Sequence, residues 1–176
     1  PVLDDLKVSP QAYILATFHR PSNVDTKEKL EKLLAILKTI TGYQTLVLPL
    51  HPRTQKMFKE FELYEELCNL ENIILTGPLG YFEFQKLIKY SKVVITDSGG
   101  IQEETTYRQV PCLTLRENTE RPITITEGTN TLVQFTPEDI ANYLKKVFSG
   151  DYKTGNIPKF WDGKATERIL RSEEHT

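Results

Sequence analysis

The sequence predicts an α/β fold, with a parallel sheet covered by helices on both faces. Two observations carry this. Short apolar runs alternate with amphipathic, helix-spaced segments along the chain. The polar clusters fall directly after the apolar runs, and ligands of such sheets bind beyond the carboxyl ends of the strands.

Tyr13-Ile14-Leu15-Ala16-Thr17-Phe18 reads as the first buried strand, with a polar loop at 19–24 behind it. Asp25-Thr26-Lys27-Glu28 has the Asp-x-x-Glu form of a capping box. Leu30, Leu33, Leu34, Leu37 and Ile40 then share one helical face. Thr45-Leu46-Val47-Leu48-Pro49-Leu50 is the second strand, and Pro49 removes a ladder donor near its end. A helix is expected over 54–70. Asn72-Ile73-Ile74-Leu75 is the third strand, ended by Thr76-Gly77-Pro78. A helix over 82–90 leads to a strand over 92–96, and a helix over 100–107 leads to Pro111-Cys112-Leu113-Thr114-Leu115. A short strand is expected at Thr131-Leu132-Val133. Pro137 then opens a helix with Ile140, Tyr143, Leu144 and Val147 on its apolar stripe and Gly150 as its stop.

The 176 residues suffice for one domain with a real core. Hydrophobic residues are 39% and charged residues 26%, as in a globular protein. A net charge of −2 and a pI near 6.0 give no general case for nucleic acid, so any phosphate binding is local. The apolar runs are far shorter than a membrane span. Cys68 and Cys112 lie in apolar contexts without metal spacing and read as buried thiols. That implies a reducing compartment, the cytoplasm, and no metal or cofactor is expected. The chain starts at Pro1 without a signal-peptide pattern, and its polar first stretch reads as a start inside a longer protein. The expected organisation is an irregular segment or linker over 1–12, a nucleotide-binding domain over 13–150, and a tail and helix over 151–176 packing back on it.

The most informative stretch is Thr96-Asp97-Ser98-Gly99-Gly100-Ile101-Gln102-Glu103-Glu104. A strand, a Gly-rich turn and a helix start bring unpaired N–H groups and the positive end of the helix dipole to one point. Ser98 adds a hydroxyl, and Gly99 and Gly100 let the backbone approach a phosphate. Glu104 lies about one turn further on, placed to accept from ribose hydroxyls. The same residues also suit a plain strand-to-helix turn. The rest of the rim bears on the choice. His19-Arg20, His51-Pro52-Arg53, Gly77-Pro78 and residues 116–121 follow strands one, two, three and five.

Thr17-x-His19-Arg20-x-x-Asn23, His51-Pro52, the 96–104 stretch, Thr119-Glu120-Arg121-Pro122 and Trp161-Asp162-Gly163-Lys164-Ala165 occur in this order. Together they resemble the non-hydrolysing UDP-N-acetylglucosamine 2-epimerases, over nearly the whole chain. The resemblance implies two Rossmann-like domains in the arrangement of GT-B glycosyltransferases, of which this chain is the C-terminal, UDP-holding one. The reaction it implies interconverts UDP-GlcNAc and UDP-ManNAc by elimination and re-addition of UDP. The absent N-terminal domain would supply an arginine at the diphosphate and the acid/base carboxylates, so the isolated chain is expected to be inactive. A homodimer is implied for the full-length protein.

By the same resemblance His19 lies beside the phosphates and assists catalysis. Arg20 is placed to bond phosphate bidentately, Arg121 reaches toward the cleft from the loop after strand five, and His51 faces the cleft. Ser98, Gly99 and Gly100 form the phosphate cradle, and Glu104 takes the ribose. Phe82 or Tyr81, with backbone around Leu79, meets the uracil, while Phe84 goes to the core. Each has a plainer alternative: a surface salt bridge for Arg20, a helix cap for His51, an ion pair with Glu120 or Glu117 for Arg121. Glu103 points about 100° away from Glu104 and reads as a surface or structural residue. The sequence departs from the family pattern at Ser22, where a glutamate is usual, and at Ile123, where an acid or amide is usual. A GT-B glycosyltransferase domain, a hydrolysing epimerase and a stand-alone UDP-binding module are the other readings.

Overall fold

The computed structural model describes residues 1–173. Six parallel strands form one sheet: β1 (Ile14–Thr17), β2 (Leu46–Pro49), β3 (Ile73–Thr76), β4 (Val93–Thr96), β5 (Cys112–Leu115) and β6 (Asn130–Val133). Their order is β3-β2-β1-β4-β5-β6, so the chain reverses its direction of travel between β1 and β4. Neighbours pair in parallel throughout, with Ile14 opposite both Leu46 and Val93. This is the doubly wound order, with its crevice between β1 and β4.

Strand side chains alternate between the two faces, and the core divides accordingly. Ile14, Ala16, Leu46, Leu48, Val93 and Ile95 pack with α3 (Lys27–Thr41), α4 (Pro52–Glu60), α5 (Tyr64–Cys68) and α9 (Pro137–Ser149). Leu15, Val47 and Val94 pack on the other side with α1 (Val2–Asp5), α6 (Tyr81–Tyr90) and α7 (Gly99–Arg108). Every strand expected from the sequence is present, and α9 starts on a Thr136 cap and stops at Gly150 with φ +85°.

Several local expectations are corrected. The stretch 1–12 is not wholly irregular: it holds α1, whose Val2 and Leu3 are buried against the second core layer. Two short helices were unforeseen, α2 (Pro21–Val24) in the polar loop and α8 (Ile123–Thr126) after β5. Thr26, not Asp25, caps α3 by accepting from the Lys29 N–H at 3.3 Å. Asp25 instead pairs with Arg53, at 2.8 Å to Nε and 2.5 Å to Nη2. The helix expected over 54–70 breaks into α4 and α5 because Glu62 adopts φ +60°. The turn brings Phe58 and Leu63 into one core from either side of the break. Cys68 is exposed, since the short α5 buries only Leu67, while Cys112 is buried; both are free.

The tail after α9 lies back over the sheet's β6 edge. Lys153 Nζ donates to the Ile125 carbonyl at 2.7 Å, and the Asn156 N–H to that of Glu127 at 2.7 Å. The last described helix, α10 (Ala165–Glu173), differs: its Leu170 remains 56% exposed. Among the described residues no helix is long and apolar enough to cross a membrane.

Candidate functional site at the switch point

The crevice between β1 and β4 brings together two segments far apart in sequence. The loop after β1 carries His19 and Arg20; the turn after β4 carries Ser98, Gly99 and Gly100. Their junction is Asp97, which is fully buried. Its carboxylate accepts from the N–H groups of His19 (3.1 Å) and Arg20 (2.9 Å) and from Asn23 Nδ2 (3.1 Å). His19 Nδ1 lies 3.2 Å from Asp97 Oδ1. Arg20 Nε donates to the Asp97 carbonyl at 2.8 Å. Burial alone would push the Asp97 carboxyl up, but these hydrogen bonds outweigh it and hold the group below the usual carboxylate range.

Sequence reasoning placed Asp97 in the turn without giving it a task. Its partners are 74 to 78 residues away, beyond any local pattern. The strand end is further tied by Thr96, whose hydroxyl lies 3.0 Å from that of Thr17 and accepts from the Ser98 N–H at 3.0 Å.

Ser98 is the N-cap of α7, with extended backbone and no capping bond from its side chain. The first N–H groups of the helix therefore face the crevice without an intrahelical acceptor. A Cβ on Gly99 would meet the Arg121 guanidinium at 2.7 Å, whereas Gly100 faces open space. Arg121 Nε pairs with Glu103 Oε2 at 2.8 Å, and its Nη1 stands 3.6 Å from Glu120. Glu103, read as surface or structural, is thus the residue that holds Arg121 beside the glycine turn. Ile101 anchors α7 in the core, and Gln102, fully buried, ties the helix to the rest of the rim. Gln102 Oε1 accepts from Thr119 Oγ1 (2.7 Å) and Asn130 Nδ2 (3.0 Å), and Thr119 Oγ1 accepts from the Arg121 N–H at 3.0 Å.

His51 is a helix cap, and it also stands beside His19. It caps α4, its Nδ1 accepting from the Arg53 N–H at 3.2 Å, and its ring centroid lies 5.2 Å from that of His19. Desolvation lowers its pKa, the His19 ring adds repulsion, and Asp97 opposes both. With Nδ1 accepting, a neutral His51 carries its proton on Nε2.

Glu104 lies on the other side of α7, in a groove of about 390 Å³ with Tyr81, Gln85, Tyr107, Arg108 and Trp161. Burial raises its pKa, and neighbouring Glu103 adds to the rise against Gln85 and Arg108. Phe82 is 85% exposed at the start of α6, edge-on to Tyr81 at 5.6 Å, while Leu79 and Phe84 are half-buried against the core. The structure therefore gathers His19, Arg20, His51, Ser98, Gly99, Gly100 and Arg121 about the crevice. Glu104 and Tyr81 line a separate groove, with Phe82 exposed beside Tyr81. Among the described residues no group of three His, Cys, Asp or Glu side chains is placed to hold a metal ion.

Fold and site together define a doubly wound α/β domain with an open helix start at its switch point. A sequence profile of the family described as UDP-N-acetylglucosamine 2-epimerase matches residues 2–174, and the chain belongs to that family. A UDP-N-acetylglucosamine 2-epimerase homolog of Methanococcus maripaludis is 38% identical over 169 residues, 96% of this chain and 46% of the relative. The UDP-N-acetylglucosamine 2-epimerase of Methanocaldococcus jannaschii is 40% identical over 161 residues, 90% of this chain and 43% of the relative. A crystal structure of the latter organism's UDP-GlcNAc 2-epimerase in complex with UDP-GlcNAc and UDP superposes with a TM-score of 0.84 at 37% identity. It covers 99% of this chain and 48% of that chain. The chain thus spans about half the length of the curated relatives it matches.

Proposed function

We propose that this chain is the C-terminal, nucleotide-holding half of a non-hydrolysing UDP-N-acetylglucosamine 2-epimerase built from two Rossmann-like domains in the GT-B arrangement. The parent enzyme interconverts UDP-GlcNAc and UDP-ManNAc by expelling UDP and adding it back, and so serves nucleotide-sugar and surface-polysaccharide synthesis. UDP is then leaving group and nucleophile in turn, and this domain has to retain it between the two steps. The carrying observation is the convergence of His19 and Arg20, locked by the buried Asp97, and of Arg121, held by Glu103, on the open start of α7. Fixed donors and cations aimed at one point stabilise charge as it develops on a departing diphosphate.

In this reading the N–H groups of Gly99 and Gly100 and the Ser98 hydroxyl cradle the diphosphate. Arg20 and Arg121 neutralise it, and His19 and His51 stand at its edge. Glu104 accepts from the ribose hydroxyls, and the exposed Phe82, with backbone around Leu79, meets the uracil. The base that takes the C2 proton comes from the N-terminal half, so this chain alone binds without turning over. The free cysteines fit a reducing compartment, the cytoplasm. Isothermal titration of the chain with UDP tests the reading. Saturable binding weakened by both Ser98→Ala and Glu104→Ala is expected; binding indifferent to both changes overturns it.

A further inference from the structure

The geometry points to Asp97 as a positioning residue that fixes the ring of His19 with Nδ1–H turned inward and Nε2 presented to the nucleotide. This rests on the nucleotide-holding role proposed above and goes beyond it, because it assigns which nitrogen acts and what holds it.

Asp97 has no exposed surface, whereas the His19 side chain is 38% exposed. The nitrogen beside the carboxylate is Nδ1, at 3.2 Å from Oδ1. An ionised carboxylate only accepts, so the imidazole nitrogen facing it must carry hydrogen. Nε2 is then the nitrogen on the edge turned away from the buried acid. It holds a lone pair in the neutral ring and a donor proton in the cation.

The same carboxylate accepts from the backbone of His19 and Arg20, so ring and main chain are held by one group. Ser98 follows Asp97 directly and caps α7. One residue thus sets the position of an imidazole nitrogen relative to the helix start to which a diphosphate would bind. A carboxylate placed only to anchor the loop would need the backbone bonds and Asn23, not the contact with Nδ1.

The test is nitrogen NMR of the His19 ring in the whole chain, combined with UDP titration of Asp97→Asn, His19→Ala and the double variant. Asparagine keeps the shape and one acceptor oxygen but not the charge. Expected are a proton held on Nδ1 in the wild-type chain and, in the neutral ring of Asp97→Asn, a mixture of tautomers. UDP binding should weaken about tenfold in Asp97→Asn, yet the same change should cost less than about twofold once His19 is alanine. A wild-type ring whose only proton is on Nε2 overturns the proposal without any variant having to fold. So does an Asp97→Asn effect equally large in the His19→Ala background. If the wild-type chain fails to bind UDP, the nucleotide reading falls and with it the role of His19 at a phosphate. The tautomer measurement still decides the pairing of Asp97 with His19.

Discussion

The guanidinium of Arg121 occupies the space that the missing side chain of Gly99 leaves open: a Cβ there would stand 2.7 Å from Nη1. The glycine's main service is therefore room for an arginine, in addition to any closeness of backbone to phosphate. Gly99→Ala should fold normally, since the clashing atoms are the far end of a flexible side chain and alanine favours a helix start. Its melting temperature should stay within roughly 2 °C of the wild type. Displaced from Glu103, Arg121 should then serve UDP poorly, and titration should show about tenfold weaker binding, ~1.4 kcal/mol.

Gly155 provides the contrast. A Cβ there would lie 2.5 Å from the Gly128 carbonyl carbon and 2.7 Å from the Thr129 nitrogen, both backbone atoms that cannot swing aside. Gly155→Ala should cost about 2 kcal/mol by overpacking. A thermal melt should fall by roughly 6 °C, with UDP affinity unchanged in the fraction that remains folded.

The two glycines illustrate what a linear reading can find. The turn at Gly99 stands out because glycines, a serine and a following helix are local signals. The strands were legible for the same reason: Val93, Val94 and Ile95 are apolar whichever face each meets. Gly155 carries no local signal, since its partner is the backbone of a strand start more than twenty residues earlier. Asp97 was visible as a turn residue, but its acceptor duties come from the loop after β1. At α3 the Asp-x-x-Glu pattern pointed to Asp25 as the cap, but Arg53 on another helix draws Asp25 away and Thr26 caps instead. The break at Glu62 lies in a stretch whose apolar spacing suits one continuous helix, so only the packing of Phe58 and Leu63 in three dimensions reveals it.

The cysteines should differ in reactivity. Burial pushes the Cys112 thiol up to about 11, so it carries almost no thiolate near neutrality, and no solvent reaches it. Cys68 is exposed on α5. A colorimetric thiol reagent should titrate one group quickly in the native chain and the second only after denaturant is added.

Gln102 should prove more than a helix residue. Its side chain joins α7 to Thr119 and Asn130, and its Nε2 donates to the Ser98 carbonyl at 3.1 Å. Gln102→Leu fills the same space but leaves the half-buried Thr119 hydroxyl and an Nδ2 hydrogen of the buried Asn130 without their acceptor. The expected cost is about 2 kcal/mol in urea unfolding. Because Thr119 also accepts from the Arg121 N–H, UDP binding should weaken alongside stability. That joint loss separates Gln102→Leu from Gly155→Ala.

Two carboxylates of the rim should respond to pH with opposite signs. The Asp97 pKa is below its ordinary value of 3.8, so the stability it contributes is present above that value and lost as pH falls through the lower folded value. Glu104 is raised above 4.5, so its ionised form is disfavoured in the folded chain. Its contribution favours folding below 4.5 and disappears as pH rises through the folded value. Urea unfolding of Asp97→Asn should therefore show a loss of stability near neutrality that shrinks in acid. Glu104→Gln should show a gain near neutrality that vanishes in acid, because glutamine removes a desolvated charge that acid would have removed anyway. A gain in stability at the expense of UDP affinity would mark Glu104 as a group kept for binding. A Glu104→Gln chain less stable than wild type at neutral pH would mean that Arg108 and Gln85 hold the carboxylate more strongly than burial opposes it.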